Sequence, residues 1–380
     1  MKIAVFKELL LGEKRVAATP ETVGKMVKLG FQVMIEVGAG SEASFDDQSY
    51  QTAGATITTD KALMLSTADL ILKVNPPEPD EIAGMKNGAV LMSYLQPLTQ
   101  FKLMQQLAQQ GVSALSMELV PRITRAQRMD ALSTMSTVAG YKAVLLAANA
   151  SNRFFPMLTT AAGTIRPAKV IIIGVGVAGL QAIATARRLG GVVTAFDVRP
   201  AAGEQAQSLG AEFVSMEVPR DQAEDAGGYA REFSADFYKH EQEIIREYSR
   251  DADVIITTAL IPGRPAPILI TGEMVKEMKL GSVIVDLSAE QGGNCALSQL
   301  GQTVVEHGTI VIAPDNIASM MAFHASEMYA RNIHAFVTLI APNNEGLKLD
   351  LNDEVIKGSL ITHQGEIVHP RVQNAIKEKK

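Results

Sequence analysis

The segment Lys169-Val170-Ile171-Ile172-Ile173-Gly174-Val175-Gly176-Val177-Ala178-Gly179 runs from a short apolar stretch straight into glycines spaced G-x-G-x-x-G. The apolar run predicts a buried strand, Gly179–Leu189 a helix, and Val192–Phe196 a second strand with Asp197 at its end. In this order the glycines have separate physical duties. Gly174 makes the tight turn, Gly176 lets the backbone approach a pyrophosphate, and Gly179 lets helix and strand pack closely. The helix start and its dipole then favour phosphate charge. Asp197 follows Gly179 by 18 residues, can accept from both ribose hydroxyls and repels a 2′-phosphate, which favours NAD over NADP. Arg199 could instead receive that phosphate, and a glycine-rich turn without ligand is the structural alternative.

Outward from this unit the alternation continues. Val254–Thr258, Ser282–Leu287 and Thr309–Ala313 read as further strands. In the first 120 residues Ile3–Phe6, Phe31–Val37, Asp69–Val74, Ala89–Tyr94 and Val112–Met117 read as strands. Helices are expected after Thr19-Pro20-Glu21, ending near Gly30, and at Thr99–Gln110. Repeated strand–helix alternation makes parallel α/β sheets. Met129–Phe154 reads as a long helix joining two lobes, Phe323–Leu339 as a helix, and Val355–Thr362 as a strand turning at Gln364-Gly365 to return through Ile367-Val368. The expected architecture is therefore two Rossmann-like domains, 1–135 plus 325–380 and 136–324, joined by long helices with a cleft between them.

Composition narrows the function classes. The 380 residues suit two domains at about 100–200 residues each. With 35 Lys+Arg against 41 Asp+Glu, the net charge of −6 argues against nucleic acid as a main partner. Twelve Phe, 7 Tyr and no Trp leave an aliphatic core and few stacking platforms. Cys295, the single cysteine, excludes an internal disulfide framework; it reads as a buried thiol rather than a nucleophile. The most apolar segment, Val170–Ala186, is interrupted by three glycines and Gln181, so direct membrane insertion is not expected, and Glu8 and Glu13 are wrong for a signal peptide. The six histidines show no metal spacing.

Two further clusters carry chemistry. Arg122, Gln127, Asp130 and Ser133 lie where the first domain's last strand gives way to the joining helix, and their guanidinium, amide, carboxylate and hydroxyl suit a nicotinamide carboxamide and ribose. A capped helix start with surface arginines is an equal reading. Gly228-Tyr229 sits in the long stretch Ser215–Arg250, read either as a lid or as an exposed insertion.

Taken with Arg15-Val16-Ala17-Ala18-Thr19-Pro20, Leu72-Lys73-Val74, Ala139-Gly140-Tyr141, Thr257 through Gly263, and Asp286 with Gly292-Gly293-Asn294-Cys295, these motifs make nearly the whole chain resemble one family. It is similar to the NAD(H)-binding components of proton-translocating nicotinamide nucleotide transhydrogenases, in the superfamily shared with alanine dehydrogenase. Arg15 and Lys73 match the residues that hold pyruvate in alanine dehydrogenase, but Gln96 stands where that enzyme has a histidine and Glu290 where it has an aspartate before Gln-Gly-Gly. Without a base poised near neutrality, oxidative deamination loses its proton shuttle.

The resemblance implies a division of roles. Arg122, Gln127, Asp130, Ser133 and Tyr229 would position the nicotinamide without acid–base work, and Gly174, Gly176, Val177 and Gly179 would surround the pyrophosphate. Asp197, Val198 and Arg199 would contact the adenosine ribose, Leu260 would pack at the adenine or ribose edge, and Gly228-Tyr229 would close over the cofactor. Glu241 aligns with an adenine-side position that is glutamine in family members. The resemblance also implies a homodimer on the cytoplasmic face of a bacterial inner membrane. Its partners would be an NADP(H)-binding component and a membrane-spanning component. An alanine dehydrogenase-like enzyme and an NAD(H)-sensing protein are the competing functions.

Overall fold

The computed structural model describes residues 1–215, 233–261, 264–343 and 346–378, and the chain divides into two units, Met1–Met135 with Ala318–Lys380 and Ser136–Ile317.

The first unit begins β1 (Lys2–Val5), α1 (Pro20–Lys28), β2 (Gln32–Glu36), α2 (Asp47–Thr52), β3 (Thr56–Thr58), α3 (Lys61–Thr67), β4 (Leu70–Leu72), α4 (Pro79–Gly84), β5 (Val90–Ser93), α5 (Phe101–Gln109) and β6 (Ser113–Ser116). A 3₁₀ turn, Thr124–Met129, then leads into α6 (Ala131–Ala150), so the predicted joining helix starts two residues later and ends four residues earlier than its sequence suggests.

The second unit continues with β7 (Leu158–Thr160), β8 (Gly163–Ile165), β9 (Lys169–Ile173), α7 (Val177–Arg188), β10 (Val192–Asp197), α8 (Pro200–Ser208), β11 (Glu212–Ser215), α9 (Ala235–Ser249), β12 (Val254–Thr257), α10 (Gly272–Glu277), β13 (Val283–Asp286), β14 (Gln302–Glu306) and β15 (Thr309–Ala313). The chain returns to the first unit as α11 (Ala322–Ile340), α12 (Glu354–Ser359), β16 (Leu360–His363), β17 (Glu366–Ile367) and α13 (Pro370–Glu378).

The first sheet has the order β17-β16-β6-β5-β4-β1-β2-β3, and β1 to β6 run parallel. β16 adds antiparallel to β6 and β17 antiparallel to β16, so the chain's last strands complete the first unit's sheet. The second sheet has the order β11-β10-β9-β12-β13-β15-β14, parallel except for β14. Strand order reverses beside β9, leaving a crevice beyond the carboxyl ends of β9 and β12, where open α/β sheets take ligands.

The unbroken apolar strands follow from burial on both faces. Val170 and Ile172 of β9 join Val254, Ile256, Val283 and Val285 in one core, while Ile171 and Ile173 join Ile255 and Ile284 in the other. α6 contributes Ala143, Val144 and Ala147 to the first of these cores. Among the described residues α6 is the one helix long and apolar enough to cross a membrane, with a mean hydropathy of 1.2. Its packed stripe and Lys142 identify it as a core helix rather than an anchor.

Two expectations need correction. The strand expected over Val355–Thr362 is a helix, α12, followed by β16. Asp353 caps α12 by accepting from the N–H groups of Val355 (2.8 Å) and Ile356 (3.3 Å), which turns the apolar pair into a buried helical face. The stretch Ser215–Arg250 is not all loop either, since Ser234 caps α9 by accepting from the Phe237 N–H at 3.2 Å.

Candidate functional site

A hollow of about 620 Å³ in the second unit is walled by the ends of β9 and β10, by α9 and by the loop after β12. Its lining contains Gly174, Gly176, Asp197, Val198, Arg199, Glu241 and Leu260, so seven of the predicted site residues meet around one space.

The glycine loop is built as its spacing requires. Gly174 has φ +90°, a left-handed conformation that disfavours any side chain. Its N–H donates to the Phe196 carbonyl at 2.9 Å, and its carbonyl accepts from the Thr258 hydroxyl at 2.8 Å, tying the turn to β10 and to the segment after β12. A Cβ on Gly179 would lie 1.9 Å from the Gly174 carbonyl oxygen, so the start of α7 rests directly on the loop. Gly176, the residue before α7, is different: a Cβ there would meet nothing within 4 Å. Val177 begins α7 and is partly exposed.

Asp197 is 7% exposed and takes four hydrogen bonds. Its carboxylate accepts from the N–H of Val175 (2.7 Å), the N–H of Arg199 (2.8 Å), and Nε (2.9 Å) and Nη2 (2.8 Å) of the Arg199 guanidinium. Arg199 is therefore held on Asp197, and the choice between a phosphate-receiving Arg199 and a ribose-accepting Asp197 becomes a single ion-paired unit. Glu241 enters from α9 on the helix's buried stripe with Ile245 and Ser249, spaced i, i+4, i+8. It is 5% exposed, and burial, aided by the charge of Asp197, pushes its carboxyl up to about 7.

Sequence reasoning missed the other walls and their support. Phe233, Tyr238, Thr258, Ala259, Pro267 and Leu269 complete the lining. The loop carrying Ala259 and Pro267 is held by Asn294, which donates to the carbonyls of Ala259 (3.0 Å) and Pro267 (2.8 Å) and accepts from the Ala259 N–H (3.0 Å). Asp286, fully buried, accepts from Thr257 Oγ1 (2.9 Å), the N–H groups of Ser288 and Cys295 (3.0 Å each) and Ser298 Oγ (2.6 Å). The motif around Gly292-Gly293-Asn294-Cys295 thus braces the hollow. Cys295 itself is buried, with its thiol pushed up to about 11 by burial, which fits the inert reading.

The polar cluster at 122–133 belongs to the first unit. Asp130 caps α6, accepting from the Ser133 N–H (2.9 Å) and Ser133 Oγ (2.6 Å), so these two side chains serve the helix start. Gln127 is exposed on the 3₁₀ turn and Arg122 is exposed before it, while the neighbouring Arg125 forms two 2.8 Å hydrogen bonds with Asp353. Also in this unit, Arg15 is bound through Nε (2.8 Å) and Nη2 (2.6 Å) to Glu13, and Lys73 Nζ lies 3.2 Å from Glu81. Gly228 and Tyr229 lie outside the described residues. No group of three or more metal-binding side chains occurs among the described residues.

Comparison with known proteins agrees with this construction. Residues 4–139 match the alanine dehydrogenase/PNT N-terminal domain and residues 143–370 the alanine dehydrogenase/PNT C-terminal domain. An NAD(P) transhydrogenase subunit alpha chain of Rhodospirillum rubrum is 49% identical over 377 residues, covering 97% of this chain and 98% of that one. The crystal structure of transhydrogenase from Sinorhizobium meliloti superposes with a TM-score of 0.85 at 42% identity, over 97% of this chain and 99% of that one. An L-alanine dehydrogenase structure gives 0.83 at 28% identity over the whole of both chains. With two domain matches in sequence order and end-to-end similarity to a transhydrogenase alpha subunit, the chain belongs to the alanine dehydrogenase/PNT family.

Proposed function

We propose that this chain is the NAD(H)-binding component of a proton-translocating transhydrogenase, exchanging hydride with NADP(H) held on a separate component. The observation that carries the reading is the glycine loop at the reversal of strand order. There Gly176 leaves its Cβ position clear at the start of α7, and the buried Asp197 ends the next strand. Such a cradle fits a dinucleotide, with Gly174, Gly176, Val177 and Gly179 around the pyrophosphate and Asp197, Val198, Arg199, Glu241 and Leu260 around the adenosine. Bound there, NAD(H) supplies the hydride.

The residues of the chain bind and orient. The Asp197–Arg199 pair presents carboxylate oxygens and a fixed guanidinium to the ribose side, and the Asn294–Asp286 bracing keeps the opposite wall in place. Arg122, Gln127, Asp130 and Ser133 position the nicotinamide, and Tyr229 with Gly228 closes over the nucleotide. Hydride passing from one nicotinamide to another moves no proton on either substrate, so Gln96, with no titratable group, is no handicap. A 49%-identical alpha subunit supports partners in a larger assembly. These would be an NADP(H)-binding component and a membrane-spanning component through which protons flow, with this chain as a homodimer peripheral to the cytoplasmic face of the bacterial inner membrane.

The test mixes the purified chain with an NADP(H)-binding component and follows hydride exchange between the two nucleotides. Exchange only in the mixture is expected. Alanine-dependent reduction of NAD⁺ by this chain alone would overturn the proposal, and NADH binding with neither activity would leave a sensor.

A further inference from the structure

Within the hollow, two carboxylates converge and one cation is committed to one of them. Asp197 has its oxygens filled by Val175 and Arg199, whereas Glu241 carries no hydrogen bond within the described structure that would stabilise its charge. Glu241 is 5% exposed and lines the hollow from the buried stripe of α9, where a carboxylate costs a great deal to ionise. The charged and titratable neighbours are few. Asp197, Arg199 and Tyr238 share its lining, and Arg264 lines an adjoining hollow with Tyr238. On α10, Glu277 is tied to Arg246 and Arg250, and Glu273 to Lys276. On α9 itself, Asp236, Lys239, His240 and Glu243 point to solvent.

A dinucleotide adds two phosphate charges to this already acidic space. We propose that Glu241 enters the bound state as the neutral acid and donates its proton as a hydrogen bond to an acceptor atom of the adenosine moiety, so that binding takes up a proton from solvent. The inference rests on the NAD(H) reading of the hollow and makes Glu241 a residue that sets affinity and its pH dependence. The free carboxyl, held near 7 by burial and by Asp197, is mostly ionised above neutrality and must be reprotonated on binding.

The experiment is calorimetric titration of the full chain with NADH. If only the neutral form binds, affinity falls about 30-fold between pH 6 and pH 8.5, and at pH 7.5 about three-quarters of a proton is taken up per nucleotide, read from buffers of different protonation enthalpy. Glu241→Gln keeps a donor but cannot ionise, so it flattens the pH profile and abolishes the uptake. His240→Gln removes the exposed histidine on the same helix and keeps both effects. Should Glu241→Gln not fold, the carboxyl ¹³C shift of Glu241 in the unaltered chain decides: bound to NADH it stays in the protonated position to pH 8.5. A flat wild-type profile without proton uptake, a slope retained in Glu241→Gln, or an ionised Glu241 in the complex overturns the inference alone. No NADH binding at any pH overturns it together with the nucleotide reading.

Discussion

Gly176 and Gly179 stand three residues apart in one motif, and the structure separates what each does. A Cβ on Gly179 would sit 1.9 Å from the Gly174 carbonyl oxygen and 2.9 Å from its carbon, both backbone atoms that cannot swing aside. Ordinary contact begins at 3.4 Å, so Gly179→Ala forces the loop and the start of α7 apart by about 1.5 Å. Overpacking of this severity costs about 3 kcal/mol, or a fall of about 6–12 °C in Tm for a unit of this size. Gly176 has φ −81°, which alanine adopts freely, and nothing within 4 Å of its Cβ position. Gly176→Ala therefore leaves stability within about 1 kcal/mol, the loss at the helix cap offsetting the entropic gain. Its methyl group occupies the space through which a pyrophosphate approaches, so NADH binding weakens about 10- to 100-fold, 1.4 kcal/mol for each factor of ten. Thermal and urea unfolding with NADH titration of both variants form the assay. An unchanged Tm in Gly179→Ala refutes the packing argument. Wild-type NADH affinity in Gly176→Ala refutes the claim that this glycine exists for a ligand.

Other perturbations probe separate regions of the molecule. Asp286→Ala strands four buried donors, those of Thr257, Ser288, Cys295 and Ser298, and is expected to lower urea stability by about 3 kcal/mol, with loss of the hollow's far wall. Burial opposes ionisation of Glu13, but the hydrogen bonds and charge of Arg15 outweigh it and hold the carboxyl at about 2 against an ordinary 4.5. A depressed folded pKa stabilises above the unfolded value, so about 3 kcal/mol is present above pH 4.5 and disappears as pH falls toward 2; Glu13→Gln should remove that share of the acid slope in unfolding experiments. Asp197→Ala is expected to weaken NADH affinity, whereas Gln127→Ala, exposed and structurally uncommitted, should mainly slow transfer in the reconstituted assay; equal affinity losses with unchanged transfer would contradict the division of roles.

The second unit was legible where burial is two-sided. Ile171 and Ile173 pack on one face of β9 and Val170 and Ile172 on the other, so the strand is an unbroken apolar run that periodicity cannot mistake for a surface. The same rule hides the sheet edges. β14 is exposed at four of its five positions and carries no apolar signature, and β3 is a three-residue Thr-Ile-Thr edge. α12 was hidden for another reason, since the side-chain cap from Asp353 decides its backbone and an apolar pair alone suits either state. In the site, the glycine spacing and Asp197 are local signals and could be read. The bracing of Ala259 by Asn294 spans 35 residues and that of Thr257 by Asp286 spans 29, so only the fold reveals them.

The same distinction bears on how Glu241 should be understood. A carboxyl held near 7 inside a cleft has the usual signature of a general acid or base. Two observations oppose that role here. Its electrostatic neighbour is Asp197 at the end of β10, the strand end that faces adenosine when phosphates lie on the glycine loop, so its proton has no route to a reacting nicotinamide carbon. And the position at which alanine dehydrogenase carries its histidine is Gln96, in the first unit, where no proton can be exchanged. A chemistry that transfers hydride alone leaves Glu241 free to serve affinity. In rate measurements its titration should then appear in kcat/KM through nucleotide capture and be absent from kcat at saturating NADH. A Glu241-dependent pH profile in kcat under saturation would restore the acid–base role and count against the hydride-only reading of this family member.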